Sequence, residues 1–192
     1  MLQVIMSYLP YALITTFTPG PNNLMSLYSV SSVGWKKGSK VIWGIFAGFM
    51  LLMILVILFC HELAKYLPEF VKYLKYIGAI YILWLAVHIA ISKPGEALER
   101  SINFKSGFFL AISNVKVILY LITIFTAYII PLGAGLHEML LHGAFIIAIS
   151  AVSWCMWGEA GNILQRFLTR YYRPFNILMG ILLAWCAVKI LM

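Results

Sequence analysis

Two short polar runs interrupt this otherwise apolar chain, and both carry residues able to hold a charged ligand: Thr18-Pro19-Gly20-Pro21-Asn22-Asn23 and Ser113-Asn114-Val115-Lys116. In the first, Pro19 and Pro21 lack backbone donors and clash with the preceding turn, and Gly20 frees the chain between them. A helix entering from Val4 therefore breaks here. A helix restarting at Asn22 presents first-turn amides without intrahelical acceptors and the positive end of its dipole, a place for a carboxylate. Asn22 or Asn23 could cap it. In the second run, Lys116 sets an ammonium well inside an apolar segment, where a charge costs a few kcal/mol or more and needs a partner. Two partners are open to it. One is the carboxylate of a bound amino acid. The other is Glu159, the acid well inside the fifth apolar segment, which would make the pair a structural salt bridge or give Glu159 a part in proton coupling.

The elements that must position these residues are membrane helices. The chain is 63% hydrophobic and 10% charged, with a mean hydropathy of +0.95, which excludes a water-soluble globular domain. Continuous apolar runs long enough to span a bilayer, about 20 residues each, fall at about Val4 to Val33, Val41 to Cys60, Phe70 to Ile91, Gly107 to Ile130, Met139 to Gly158 and Phe175 to Met192. They lack the alternation of a membrane barrel. The expected fold is an all-α integral membrane protein, one transmembrane domain over residues 1–192, of six helices with the first broken. Irregular backbone at membrane depth survives where buried protein or a wet cavity satisfies it, the usual design of a transporter's binding site. A proline kink without a ligand is the plainer alternative.

Fourteen Lys and Arg face six acids, all Glu. The placement of the cations argues for topology, not nucleic acid. Lys36, Lys37 and Lys40, then Lys93, Arg100 and Lys105, then Arg166, Arg170 and Arg173 lie in the first, third and fifth connections; the second has Lys65, Lys72 and Lys75, and the fourth has none. By the positive-inside tendency the odd-numbered connections are cytoplasmic and both termini lie outside. A start without Lys or Arg before Lys36 argues against a cleaved signal peptide. Cys60, Cys155 and Cys186 are scattered, with no CxxC pair or metal-ligand spacing, so no metal or cofactor is expected. The histidines, His61, His88, His137 and His142, form no HExxH pattern, and without paired Asp or a Ser/His context intramembrane hydrolysis has no chemistry to run on.

Six spans divide into halves of three, 1–92 and 106–192, and an odd number per half inverts the second relative to the first. Each half opens with the helix that is polar inside, so the two polar runs should meet near the bilayer middle, one half rocking against the other. Gly44 with Gly48, and Gly180 with Ala184, have the spacing of close-packing seams, which would serve a homodimer as well as a monomer's own bundle. Trp35, Trp43, Tyr171 and Tyr172 fit an interfacial aromatic belt. Trp154 and Trp157 either pack the core or line a cavity.

The run Thr18 to Asn23 in a first apolar segment, followed by the basic stretch Gly34 to Lys40, resembles the LysE/RhtB family of bacterial amino-acid exporters. Asn114-Val115-Lys116 is similar to that family's Asn-Pro-Lys motif without its proline. The run Asn114 to Tyr120, with Gln165-Arg166-Phe167, Asn176-Ile177 and Cys186 to Ile190, resembles most the cysteine/O-acetylserine exporter branch. The resemblance implies an inner-membrane secondary carrier, with no nucleotide-hydrolysing subunit, that exports a small amino acid. Thr18, Pro19, Gly20, Pro21, Asn22, Asn23, Asn114, Lys116 and Tyr120 would bind substrate. Exporters of homoserine, threonine or lysine type are the near alternatives. A channel or a non-transporting scaffold is the remote one.

Overall fold

The computed structural model describes the backbone of residues 2–91 and 102–191, with side chains there except at 60–75, 78, 132, 165–170, 172 and 189–191. Expectations resting on Cys60, His61, Lys65, Lys72, Lys75, Lys93, Arg100, Gln165, Arg166, Phe167, Arg170, Tyr172, Lys189 and Ile190 lie outside the described residues.

Every regular element among the described residues is helical: α1 (Leu2–Phe17), α2 (Pro21–Val33), α3 (Trp35–Ile91), α4 (Phe104–Ile112), α5 (Val115–Ile124), α6 (Leu136–Arg170) and α7 (Tyr172–Leu191). By length and composition Trp35–Phe59 and Leu136–Leu164 can each cross a bilayer, and Phe104–Ile112 with Val115–Ile129 makes a third span bent by 55°. Leu2–Phe17, Ala79–Ile91 and Arg173–Val188 are shorter apolar helices.

Local chemistry sets the breaks. The first helix stops at Phe17, and Pro21 opens α2 at its first position, where a missing donor is harmless. Gly34, at φ 76°, turns the chain from α2 into α3 in a conformation that a side chain would strain. Asn103 and Ser106 form a capping box at the start of α4. The second break needs no proline: Asn114 leaves helical geometry at ψ 97° and its Oδ1 accepts from the Lys116 amide at 3.1 Å, capping α5. Beyond α5 the backbone widens into a π turn over Phe125–Ile129, and Gly133, at φ 77°, ends a last tight turn.

α3 doubles back on itself. Gly44 abuts the Phe104 carbonyl, while the Tyr81 hydroxyl donates to the Ser106 carbonyl at 3.1 Å. On a straight helix those two positions would stand about 55 Å apart. Both arms therefore flank α4.

Glycine seams lock the helices together. A methyl on Gly44 would lie 2.0 Å from the Phe104 carbonyl oxygen, one on Gly107 2.1 Å from that of Val41, and one on Gly161 2.3 Å from that of Leu27. Gly180 meets Ala86 and Ala90. Both seams expected from sequence thus pack helices of one chain. The broadest interfaces, α3 with α4, α3 with α7 and α2 with α6, each join the first sequence half to the second. Among the described residues of the second half, α6 and α7 scarcely touch.

Candidate functional site

The two breaks meet. Asn114 Nδ2 donates to Asn22 Oδ1 at 3.0 Å, and both side chains are buried, at 1% and 5% exposure. With its oxygen engaged, Asn22 keeps a buried Nδ2 without a hydrogen-bond partner, a donor aimed into the site. Neither Asn22 nor Asn23 caps α2, against the sequence expectation. Gly20 holds the cap position and has no side chain to offer, so no side chain caps the Asn22 and Asn23 amides of the first turn. Asn23 reaches backwards instead: its Nδ2 donates to the Thr16 carbonyl at 2.8 Å and the Thr18 carbonyl at 3.1 Å. It clasps the break, satisfying carbonyls left without amide partners where the helix is interrupted.

Lys116 crosses from α5 to that break. Its Nζ donates to the Thr18 carbonyl at 3.2 Å, passing over Gly20, where a methyl would lie 3.2 Å from the same nitrogen. Glycine leaves room for the ammonium stem. Thr16 ties the surroundings together: its hydroxyl donates to the Tyr120 hydroxyl at 3.2 Å, and its carbonyl accepts from Ser153 on α6 at 3.0 Å. The Thr18 hydroxyl turns back to the Ile14 carbonyl within α1.

Two cavities adjoin at Lys116. The smaller, about 40 Å³, is lined by the polar residues Thr16, Asn22, Asn23, Asn114 and Ser150 together with Phe49 and Trp154, whose rings meet edge to face at 5.2 Å. The larger, about 570 Å³, is a groove bounded by Tyr11, Pro19, Leu119, Trp185 and Cys186. Thr15, Gly20, Lys116 and Tyr120 line both.

The residues expected from sequence at 18–23, 114, 116 and 120 are thus brought together. Glu159 is not. It lies exposed on α6, lines a separate cavity with Trp35 and Cys155, and accepts from Asn162 Nδ2 at 2.9 Å, while Lys116 bonds Thr18. Sequence reasoning missed Thr16, Ser150 and Ser153, whose signal was weak: small hydroxyl residues in apolar helices. Of the two tryptophans, Trp154 lines the pocket and Trp157 is half-buried.

Long apolar helices and two helix breaks joined across a polar pocket define a multi-pass membrane transporter. The family model described as LysE type translocator matches residues 13–192, and the chain belongs to that family. The cysteine/O-acetylserine efflux protein of Klebsiella pneumoniae subsp. pneumoniae is 36% identical over 189 residues, 97% of this chain and 96% of that one. Proteins of the same name from Escherichia coli K12 and Shigella sonnei are 36% identical over 182 residues, 94% of this chain and 93% of theirs. No solved structure matches the chain. A translocator of this family is a transporter, not an enzyme.

Proposed function

We propose that this protein exports a small amino acid, cysteine or O-acetylserine or both, across the bacterial inner membrane as a secondary carrier, with both termini on the outer face. The observation that carries the reading is the Asn22–Asn114 bond, which brings two helix starts to one point beside the Lys116 ammonium. Three kinds of donor converge there: first-turn amides of α2, the unpartnered Asn22 Nδ2 and Lys116 Nζ. That is a carboxylate site. Its walls favour a neutral side chain. Among the described residues, the lining of both cavities includes no Asp or Glu, so a lysine-like substrate would bring a second cation to Lys116 without a counter-charge. The names of the similar proteins support the narrower choice of cysteine and O-acetylserine.

The two sequence halves support the view of inverted three-helix repeats, each opening with a broken helix capped or joined by asparagine. Alternating access then moves bodies that mix the halves, because the tightest seams cross between them.

Counterflow in proteoliposomes tests the function: vesicles loaded with unlabelled amino acids, one at a time, take up labelled O-acetylserine or cysteine. Saturable exchange by the wild type, lost in Lys116→Met by tenfold or more, on the scale of one charge-assisted hydrogen bond of about 1.5–3 kcal/mol, is the expected result. Folded protein that exchanges no amino acid would overturn the export reading.

A further inference from the structure

Two carbonyls of the first break, those of Thr16 and Thr18, are fully used. A carbonyl oxygen has two lone pairs. That of Thr16 accepts from Asn23 Nδ2 and Ser153 Oγ; that of Thr18 accepts from Asn23 Nδ2 and Lys116 Nζ. A third donor arriving at either oxygen must displace one of these. Asn23 is buried and held by both carbonyls at once, and Ser153 is fixed on α6. Lys116 is the donor free to leave: its ammonium ends a flexible four-carbon stem, half-buried between two cavities.

An amino acid brings a cation of the same kind. Its carboxylate has donors at the α2 start, but its α-ammonium needs an acceptor, and the Thr18 carbonyl is a backbone oxygen of the break that already accepts from an ammonium. The geometry points to the Thr18 carbonyl as an ammonium subsite that Lys116 and the substrate hold in turn, with Lys116 as the movable wall between the polar pocket and the larger groove. This rests on the export reading and deepens it. Displaced from Thr18, Lys116 is released to the substrate's carboxylate, so one cation replaces another at the carbonyl and the site's charge stays balanced. The exchange also explains the sizes. A pocket of about 40 Å³ holds on the order of three waters, too little for an amino acid unless the partition of Thr15, Gly20, Lys116 and Tyr120 yields into the groove.

The test reads the partition without requiring transport. Ser150 lines the polar pocket and not the groove, so a cysteine there, in a full-length chain otherwise free of cysteine, reports access. Its reaction with a small sulfonated methanethiosulfonate, supplied on both faces of proteoliposomes, is timed. Lys116→Ala should quicken it about tenfold, the loss of one charge-assisted bond. Gly20→Ala, which pushes a methyl against Nζ, should quicken it too and guards against a misfolded lysine variant. Propylammonium should slow Lys116→Ala back toward the parent rate by reoccupying Thr18, and propanol, of the same shape and uncharged, should not. In the chain with Lys116, O-acetylserine should protect the cysteine and 3-acetoxypropionate, which lacks the ammonium, should not.

Unchanged rates in both variants, or propanol acting as well as propylammonium, overturn the subsite and its wall. Equal protection by the two ligands, or by neither, overturns the substrate's use of it. Failure of export shows separately, as absent counterflow, because the propylammonium arm reads the Thr18 carbonyl whether or not anything is carried.

Discussion

Asn114 does two jobs with one side chain: Oδ1 caps α5 through the Lys116 amide, and Nδ2 joins Asn22. They can be separated. Serine is a good cap but too short to reach across to α2, so Asn114→Ser should keep most of the stability and lose the bridge. Alanine loses both, with a cap worth about 1 kcal/mol and a buried Asn22 oxygen left without its donor at about 1–3 kcal/mol. Thermal unfolding in detergent should rank wild type, Asn114→Ser and Asn114→Ala in that order, while counterflow falls in both variants. Equal melting of serine and alanine variants would remove the cap from the account. Much of this site was legible in the sequence, because two prolines and a lysine inside apolar runs leave few readings. The direction of each amide was not. An asparagine near a helix start bonds forward as a cap or backward to a carbonyl with equal ease, and Asn23 takes the backward course.

Helix crossings in this bundle are set by glycine. Gly44 and Gly107 sit face to face across α3 and α4, each against the other helix's carbonyl. A methyl there meets backbone, which cannot rotate aside, so Gly107→Ala must part the helices at a cost of about 1–3 kcal/mol. Gly135→Ser, where nothing lies within 4 Å and serine suits the position before α6, should melt with the wild type within about 0.5 kcal/mol. A Gly107→Ala protein as stable as the Gly135→Ser control would show that the seam is not tight. The Gly44–Gly48 spacing announced its seam, but its partner Gly107 carried no signal, since spacing names one face and not what packs on it. The second break was legible only as polarity. Without proline, Asn114 could as well have sat inside a continuous helix, and capping geometry decided otherwise. Glu159, one of two partners left open for Lys116, stands apart from it for a simpler reason. It stands nine residues beyond Ser150, about two and a half turns, on the side of α6 that faces away from the pocket.

At the scale of the molecule, hydropathy gave an all-helical, membrane-spanning chain but not which helices are neighbours, and the neighbours bear on the mechanism. Rocking one sequence half against the other would have to open α3 from α4, α3 from α7 and α2 from α6, the broadest and closest interfaces in the bundle. It would also move as a body a second half whose α6 and α7, among the described residues, barely meet. Close-packed seams transmit motion and do not slide without loss of contact, which is why the proposed alternating access takes groups of helices drawn from both halves as its moving parts. The α3–α7 seam offers a direct test. A methyl on Gly180 would stand 2.9 Å from the Ala90 methyl, within about 1 Å of the Cβ separation of a disulfide, so cysteines at both positions should bridge on oxidation. If α3 and α7 travel together, the oxidised double variant exports at the rate of its reduced form. Loss of export on oxidation, recovered with reductant, would mean that this seam opens in every cycle and that the two sequence halves are the moving bodies after all.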